Sequence, residues 1–188
     1  MRRVFALLAL VIAPHALAQA TAIFAGGCFW CMEPPFEKLK GVLSVTSGYT
    51  GGFTANPTYE KVSFETTGHY EAVEVRYDPA QITYGQLLDV FWRNIDPADG
   101  DGQFCDRGEQ YRAAIFYANA AERDLAVRSM ANVASKKKLK VATHVLPAMR
   151  FYPAEDYHQD YYKKNPVRYK FYRFNCGRDR RLEQVWGK

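Results

Sequence analysis

Residues 21–31 read Thr21-Ala22-Ile23-Phe24-Ala25-Gly26-Gly27-Cys28-Phe29-Trp30-Cys31, and the reading of the rest of the chain works outward from them. Thr21 to Gly26 is a short apolar run ending in two glycines, the pattern of a buried strand running into a tight turn. A helical segment follows to about Lys40, with Phe36 and Leu39 inward and Gly41 at its end. Pro34 and Pro35 are comfortable only in a first helical turn, so the regular helix is expected to begin nearer Pro34, with residues 29–33 as its lead-in. The turn therefore delivers Cys28 between a strand end and a helix start.

The same alternation continues downstream. Val42 to Tyr49 reads as a strand, Gly48 to Gly52 as a glycine-rich loop, and Pro57-Thr58-Tyr59 as a short helix or turn. Tyr70 to Tyr77 is the clearest strand: Glu71, Val73, Val75 and Tyr77 share one face, and Ala72, Glu74 and Arg76 the other. Thr83-x-x-Gln86 is a capping box opening a helix that carries Leu87, Leu88, Phe91, Trp92 and Ile95 and stops at Asp96-Pro97. A polar loop spans Ala98 to Gly108, Tyr111 to Tyr117 is a strand, and Asn119-x-x-Glu122 starts a long helix ending near Lys138. Val141 to Leu146 is a further strand. Beyond Pro153 the chain is aromatic and basic without clean periodicity and reads as a long irregular segment. Strands alternating with helices, without repeats or linkers, predict a single α/β (α+β) layer domain over residues 21–188.

Composition narrows the class. With 188 residues, 48% hydrophobic and 24% charged, the chain can bury a full core, which excludes disorder, coiled coil and disulfide-dense miniproteins. Arg2 and Arg3, the apolar run Phe5 to Ala13 and Ala16-Leu17-Ala18 form a secretory signal peptide over residues 1–18, with cleavage after Ala20 as the alternative. Nine apolar residues are too few to span a bilayer. The expected product is an exported, periplasmic or secreted protein with no membrane-inserted segment. Cleavage removes two of the arginines behind a formal net charge of +5, which leaves a balance too mild to imply a polyanionic partner.

Four cysteines (Cys28, Cys31, Cys105 and Cys176) are the first candidates for chemistry. In an exported protein they could simply form structural disulfides, with three possible full pairings. Cys28 stands apart because a helix N-terminus offers it backbone N–H groups and the positive end of the dipole, both of which favour a thiolate nucleophile. Phe29 and Trp30 cannot both enter one core, so at least one is expected to wall a pocket for a small apolar group.

These residues also resemble a known family. Gly26-Gly27-Cys28-Phe29-Trp30-Cys31-Met32-Glu33 is similar to the signature of the A-type peptide methionine sulfoxide reductases. Gly48-Tyr49-Thr50-Gly51-Gly52, Asn56-Pro57-Thr58-Tyr59, Gly68-His69-Tyr70-Glu71-Ala72-Val73 and Asp106-Arg107-Gly108-x-Gln110-Tyr111-Arg112 resemble further blocks of it, in family order. The resemblance implies a two-layer sandwich of ferredoxin-like type with a mixed sheet; a monomer is expected. It implies Cys28 as the nucleophile toward the sulfoxide sulfur and Phe29 and Trp30 as the cage of the S-methyl group. Glu71 would be the proton donor, Tyr59 and Tyr111 hydrogen-bond donors to the sulfoxide oxygen, and Asp106 a supporting acid. Independently, the strand reading puts Glu71 on the face of Val73 and Val75, where desolvation raises a carboxyl pKa toward that of a useful acid.

By the same resemblance, methionine S-sulfoxide, free or in proteins, is reduced through a sulfenic acid and an intramolecular disulfide. An external thioredoxin-like dithiol is the electron donor, and no bound cofactor or metal takes part. Cys176 resembles the family's C-terminal resolving cysteine. Cys31 is the alternative, disfavoured because a disulfide's narrow geometry sits poorly with the adjacent aromatics, and Cys105 is an outside candidate. Three other readings compete. Cys28-Phe29-Trp30-Cys31 is also the layout of a thioredoxin-like thiol–disulfide oxidoreductase. Tyr161 to Arg181 interleaves aromatics and cations as a nucleic-acid platform does, but an exported protein argues against nucleic acid. The histidines His69, His144 and His158 lack the paired short spacings of zinc sites.

Overall fold

A computed structural model describes residues 19–187; the segment read as a signal peptide lies outside the described residues. In chain order the elements are β1 (Ala20–Gly26), α1 (Phe29–Glu37), β2 (Val42–Thr50), α2 (Tyr59–Phe64), β3 (Tyr70–Tyr77) and α3 (Tyr84–Arg93). There follow β4 (Gly102–Gln103), β5 (Asp106–Arg107), β6 (Ala113–Tyr117), α4 (Ala120–Lys137), β7 (His144–Pro147) and β8 (Tyr152–Pro153). The C-terminal part holds α5 (Tyr161–Lys164), α6 (Pro166–Asn175) and α7 (Arg178–Trp186).

Six strands form one sheet in the order β7-β6-β1-β3-β2-β8. Only β6 and β7 run parallel; the other neighbours are antiparallel, so the sheet is mixed. Within it, β6-β1-β3-β2 with α1 and α3 as crossovers is the split βαβ arrangement of a ferredoxin-like sandwich. Val73 and Val75 of β3 and Phe24 of β1 face Phe36 of α1 and Leu87 and Phe91 of α3, all fully buried. Ala72, Ile23, Ala114 and Phe116 form a second, smaller cluster on the opposite face. The period-two alternation read in β3 is thus the division between the two cores.

Local signals place several elements. Thr83 accepts the N–H of Gln86, and the Gln86 side chain returns to the N–H of Thr83, closing the predicted capping box. Asn119 caps α4 through the N–H of Glu122.

Two expectations are corrected. The helix after Cys28 begins at Phe29 rather than near Pro34, with both prolines inside it. Its first turn is held by bonds that do not need the proline nitrogens: Phe29 N–H donates to Glu71, and Cys31 N–H to the carbonyl of Cys28. The segment beyond Pro153 is not irregular throughout, because α5, α6 and α7 occupy most of it. In α6 the inward residues are Tyr169, Tyr172, Arg173 and Cys176, while Val167, Phe171 and Phe174 face outward and are exposed. An apolar-in pattern therefore cannot find this helix.

The β1–α1 turn is the most constrained point of the fold. Gly27 adopts φ +80°, and a Cβ there would lie 2.6 Å from Cβ of the buried Gln103. Gln103 is itself fixed by two bonds of 2.8 Å to the backbone of Asp96. Gly27→Ala should therefore combine left-handed strain with overpacking and cost about 1–3 kcal/mol. Thermal or urea unfolding measures this directly, and an unchanged midpoint would contradict the account.

Candidate active site

The sequence places Cys28 as the N-cap of α1, where a side chain ordinarily accepts the helix's first free N–H groups. Here it accepts none. The Phe29 N–H instead donates to Oε2 of Glu71 at 3.1 Å, across from β3. Cys28 is 6% exposed, Glu71 2%. Together with Phe29, Trp30, Tyr59, Asp106, Tyr111 and Tyr172 they line one cavity of about 70 Å³. The structure so brings together seven residues singled out in the sequence: Cys28, Phe29, Trp30, Tyr59, Glu71, Asp106 and Tyr111. The volume suits a few heavy atoms, the scale of a sulfoxide with its methyl group.

Burial pushes the Glu71 carboxyl up to about 8, against the opposing hydrogen bond from Phe29; the charge of Asp106 raises it further and a bond from Tyr111 lowers it. At neutral pH Glu71 therefore carries a proton inside the cavity. Tyr59 and Tyr111 are also raised by burial and stay neutral donors. Asp106 is raised by burial too, and is held in place by the Tyr172 hydroxyl, which donates to Oδ2 at 2.5 Å.

The sulfurs differ from expectation. Burial, the bond to Cys31 and the acids Glu71 and Asp106 hold the Cys28 thiol well above its usual range. The N–H that would have stabilised a Cys28 thiolate is committed to Glu71. Cys31, 1% exposed, is lowered to about 6 by its bond to Cys28 and by Arg178 and Arg173. Burial acts most strongly on Cys28, while Arg178 and Arg173 reach Cys31, so the two sulfurs of the pair are pushed in opposite directions. Cys176 is not paired with Cys28: it forms a disulfide with Cys105, and Cys28 and Cys31 are free thiols. Neither Cys31 nor Cys176 lines the cavity.

Several residues that position the site were not found from sequence. Trp30 donates from Nε1 to Nδ1 of buried His158 at 3.0 Å and stacks on Tyr161 with centroids 3.7 Å apart. His158 packs against Phe29 and Tyr59 as well. Glu155 accepts from the Tyr49 hydroxyl at 2.9 Å and from the Tyr59 N–H at 2.8 Å. Arg178, 1% exposed, donates to the carbonyls of Gly26 at 3.1 Å and Asn94 at 2.7 Å and lies over the Phe104 ring. The run Glu155-Asp156-Tyr157-His158-Gln159-Asp160-Tyr161 did carry one signal: a concentration of acids, histidine and aromatics with no helical or strand period.

Comparison with known proteins identifies the family. Residues 20–188 match the family model described as peptide methionine sulfoxide reductase. A Caulobacter vibrioides peptide methionine sulfoxide reductase, MsrA 2, is 55% identical over 168 residues, covering 89% of this chain and 85% of that protein. The Bacillus licheniformis MsrA is 54% identical, covering 89% and 93%. Among solved structures, methionine sulfoxide reductase A of Corynebacterium diphtheriae superimposes with a TM-score of 0.76 at 35% identity, covering 84% of this chain and 79% of that one. The competing thioredoxin-like reading of the Cys-x-x-Cys is thereby set aside. This chain belongs to the A-type peptide methionine sulfoxide reductases, enzymes that reduce methionine S-sulfoxide at the expense of thiols.

Proposed function

We propose that this enzyme repairs methionine S-sulfoxide, free and in exported proteins, with Cys28 taking up the oxygen and Glu71 supplying the proton. One observation carries the assignment: the sulfur-bearing residue and the protonated carboxyl are joined across the Phe29 N–H and open into the same small cavity. Phe29 and Trp30 wall the space for the S-methyl group. Tyr59 and Tyr111 offer hydroxyl donors to the oxygen, where negative charge develops as the S–O bond polarises.

The Cys28 sulfur bonds to the substrate sulfur as its proton passes to the Cys31 thiolate, with which it is hydrogen-bonded. Glu71 gives its proton to the oxygen. The S–O bond and the new sulfur–sulfur bond of that adduct then break as the hydroxyl passes to the Cys28 sulfur, which becomes a sulfenic acid, and methionine leaves as the thioether. A dithiol of thioredoxin type then returns the enzyme to its starting state, without a bound cofactor. Action outside the cytoplasm is supported by the basic-apolar-small pattern of residues 1–18 and by a disulfide between Cys105 and Cys176. Among the described residues no helix is long and apolar enough to cross a membrane.

Purified enzyme given racemic methionine sulfoxide and a dithiol should consume one epimer, the S form; consumption of both, or of neither, would falsify the reading. Cys28→Ser should abolish turnover. Because the proton on Glu71 is lost as pH rises through about 8, the rate should decline over that range. Glu71→Gln should lower kcat by about 10²- to 10⁴-fold and remove that alkaline limb. A pH–rate profile that keeps its alkaline limb in the variant would assign the limb to another group.

A further inference from the structure

Two tight turns meet beside the Cys28 cavity. β4 and β5 form a hairpin whose turn residues are Phe104 and Cys105, since Gln103 pairs with Asp106. Phe104 takes a positive φ of 60°, and Gln103 before it is buried and bonded to the backbone of Asp96. Against this hairpin lies the α6–α7 junction, Cys176-Gly177, with Gly177 at φ +67°. Three side chains able to bind a metal ion are thereby brought together. Cys105, Asp106 and Cys176 each place one sulfur or oxygen within 4.8 Å of the others.

Asp106 Oδ2 lies 3.9 Å from Cys176 Sγ, and Asp106 Oδ1 lies 3.7 Å from Cys105 Sγ. A tetrahedron around zinc, with Zn–S about 2.3 Å and Zn–O about 2.1 Å, has edges of about 3.6–3.8 Å. The sulfur–oxygen separations are therefore already close to ligand edges. The remaining edge joins the two sulfurs, which are bonded to each other and cannot ligate in that state. A dithiol that reduces them supplies two electrons and two protons, breaks the S–S bond and leaves two thiols at van der Waals separation on Cα atoms 4.9 Å apart.

We propose that reduction of Cys105–Cys176 opens a site for a thiophilic divalent cation, zinc above all, held by the two thiolates and the Asp106 carboxylate with water in the fourth position. Binding sends the two thiol protons to solvent, and no electron moves in that step. Two sulfurs and one carboxylate select zinc over magnesium or calcium, which prefer oxygen alone. The surroundings already orient these ligands. The Tyr172 hydroxyl donates to Asp106 Oδ2 at 2.5 Å and leaves Oδ1 to the metal. The Cys105 N–H donates to Cys176 Sγ at 3.2 Å. Such outer bonds fix the direction in which a ligand atom points.

An ion has a way in. Cys105 is exposed, and Cys176 lines an open cleft of about 460 Å³. Two arginines of that cleft are paired, Arg107 with Asp99 at 2.7 Å and Arg181 with Asp96 at 2.6 Å, so their charge is offset. Cys28 and Cys31, 6% and 1% exposed, are closed to a hydrated ion. The metal takes no part in catalysis. It takes hold of Asp106, which lines the Cys28 cavity, and so should slow the loaded enzyme. That consequence, unlike binding itself, rests on the reading of the cavity as the active site.

The test uses the full chain, reduced with a phosphine, freed of it and titrated with cobalt(II) in the absence of oxygen. The reduced chain should show near-ultraviolet sulfur-to-cobalt absorption that zinc abolishes at about one ion per chain. The oxidised chain should show none, and reoxidation should expel the metal. Zinc should also shield Cys105 and Cys176 of the wild type from alkylation, read by peptide mapping. Cys28→Ser/Cys31→Ser should bind as the wild type does, Cys105→Ser/Cys176→Ser should lose the absorption, and Asp106→Asn should bind about tenfold or more weakly. Equal absorption from the oxidised chain, alkylation unchanged at saturating zinc, a signal that follows the inner cysteines instead of the outer ones, or wild-type affinity in Asp106→Asn would each overturn the site. In a single turnover of reduced enzyme without added dithiol, bound zinc should slow the formation of methionine. An unchanged rate with zinc bound would instead refute the part given to Asp106 in the active site, with the metal site standing.

Discussion

A single hydrogen bond, from the Phe29 N–H to the Glu71 carboxyl, ties the two halves of the site together. It joins the first turn of α1 to the start of β3 and so fixes the separation of the sulfur from the acid. It also decides the electrostatics. The N–H is drawn away from Cys28, whose thiol keeps its proton, and it steadies a carboxyl that burial nevertheless keeps protonated to about 8. Desolvation outweighs the hydrogen bond here because Glu71, 2% exposed, lies on the buried sheet face that also carries Val73 and Val75. The outcome is a site that stores its proton on the group that must deliver it.

Around that bond the C-terminal segment acts as the missing wall of an otherwise complete α/β sandwich. It sends His158 to hold Trp30, Tyr172 to hold Asp106, and Arg178 into the interior beneath the β1–α1 turn. The buried guanidinium of Arg178 meets two backbone carbonyls and an aromatic face among its contacts. A cation so placed favours negative charge nearby, and the nearby anions are Cys31 and Asp106. The segment that carries Cys176 thus also brings Arg173 and Arg178 to Cys31, where they favour its thiolate behind the larger effect of its bond to Cys28.

Much of the fold was legible because local rules and tertiary structure agree. β3 runs from Tyr70 to Tyr77 as its alternation predicts, and the Thr83–Gln86 box opens α3. The start of α1 is not legible in the sequence because its two prolines point to a later start, whereas the observed one rests on a bond from a strand residue 42 positions away. The helices after residue 160 were missed because α6 inverts the usual pattern, with tyrosines and an arginine inside and phenylalanines outside. Such an inversion makes sense only once the polar cavity on its inner side is known.

Residue types and short-range order in the chain alone determined the strand–turn–helix that presents Cys28 and the face on which Glu71 lies, while the roles of Tyr59, Tyr111, Asp106, Phe29 and Trp30 were implied by the family resemblance. The strand–turn–helix and the strand face depend on backbone periods and turn chemistry that neighbours within a few positions dictate. The pairing of sulfurs and the ownership of the proton were decided only by the tertiary structure. Cys105 and Cys176 are 71 residues apart in sequence, and Arg173 and Arg178 reach Cys31 from the far end of the chain. Disulfide choice depends on distances of a few ångströms and pKa values on burial and nearby charge, and these exist only once the chain has closed on itself.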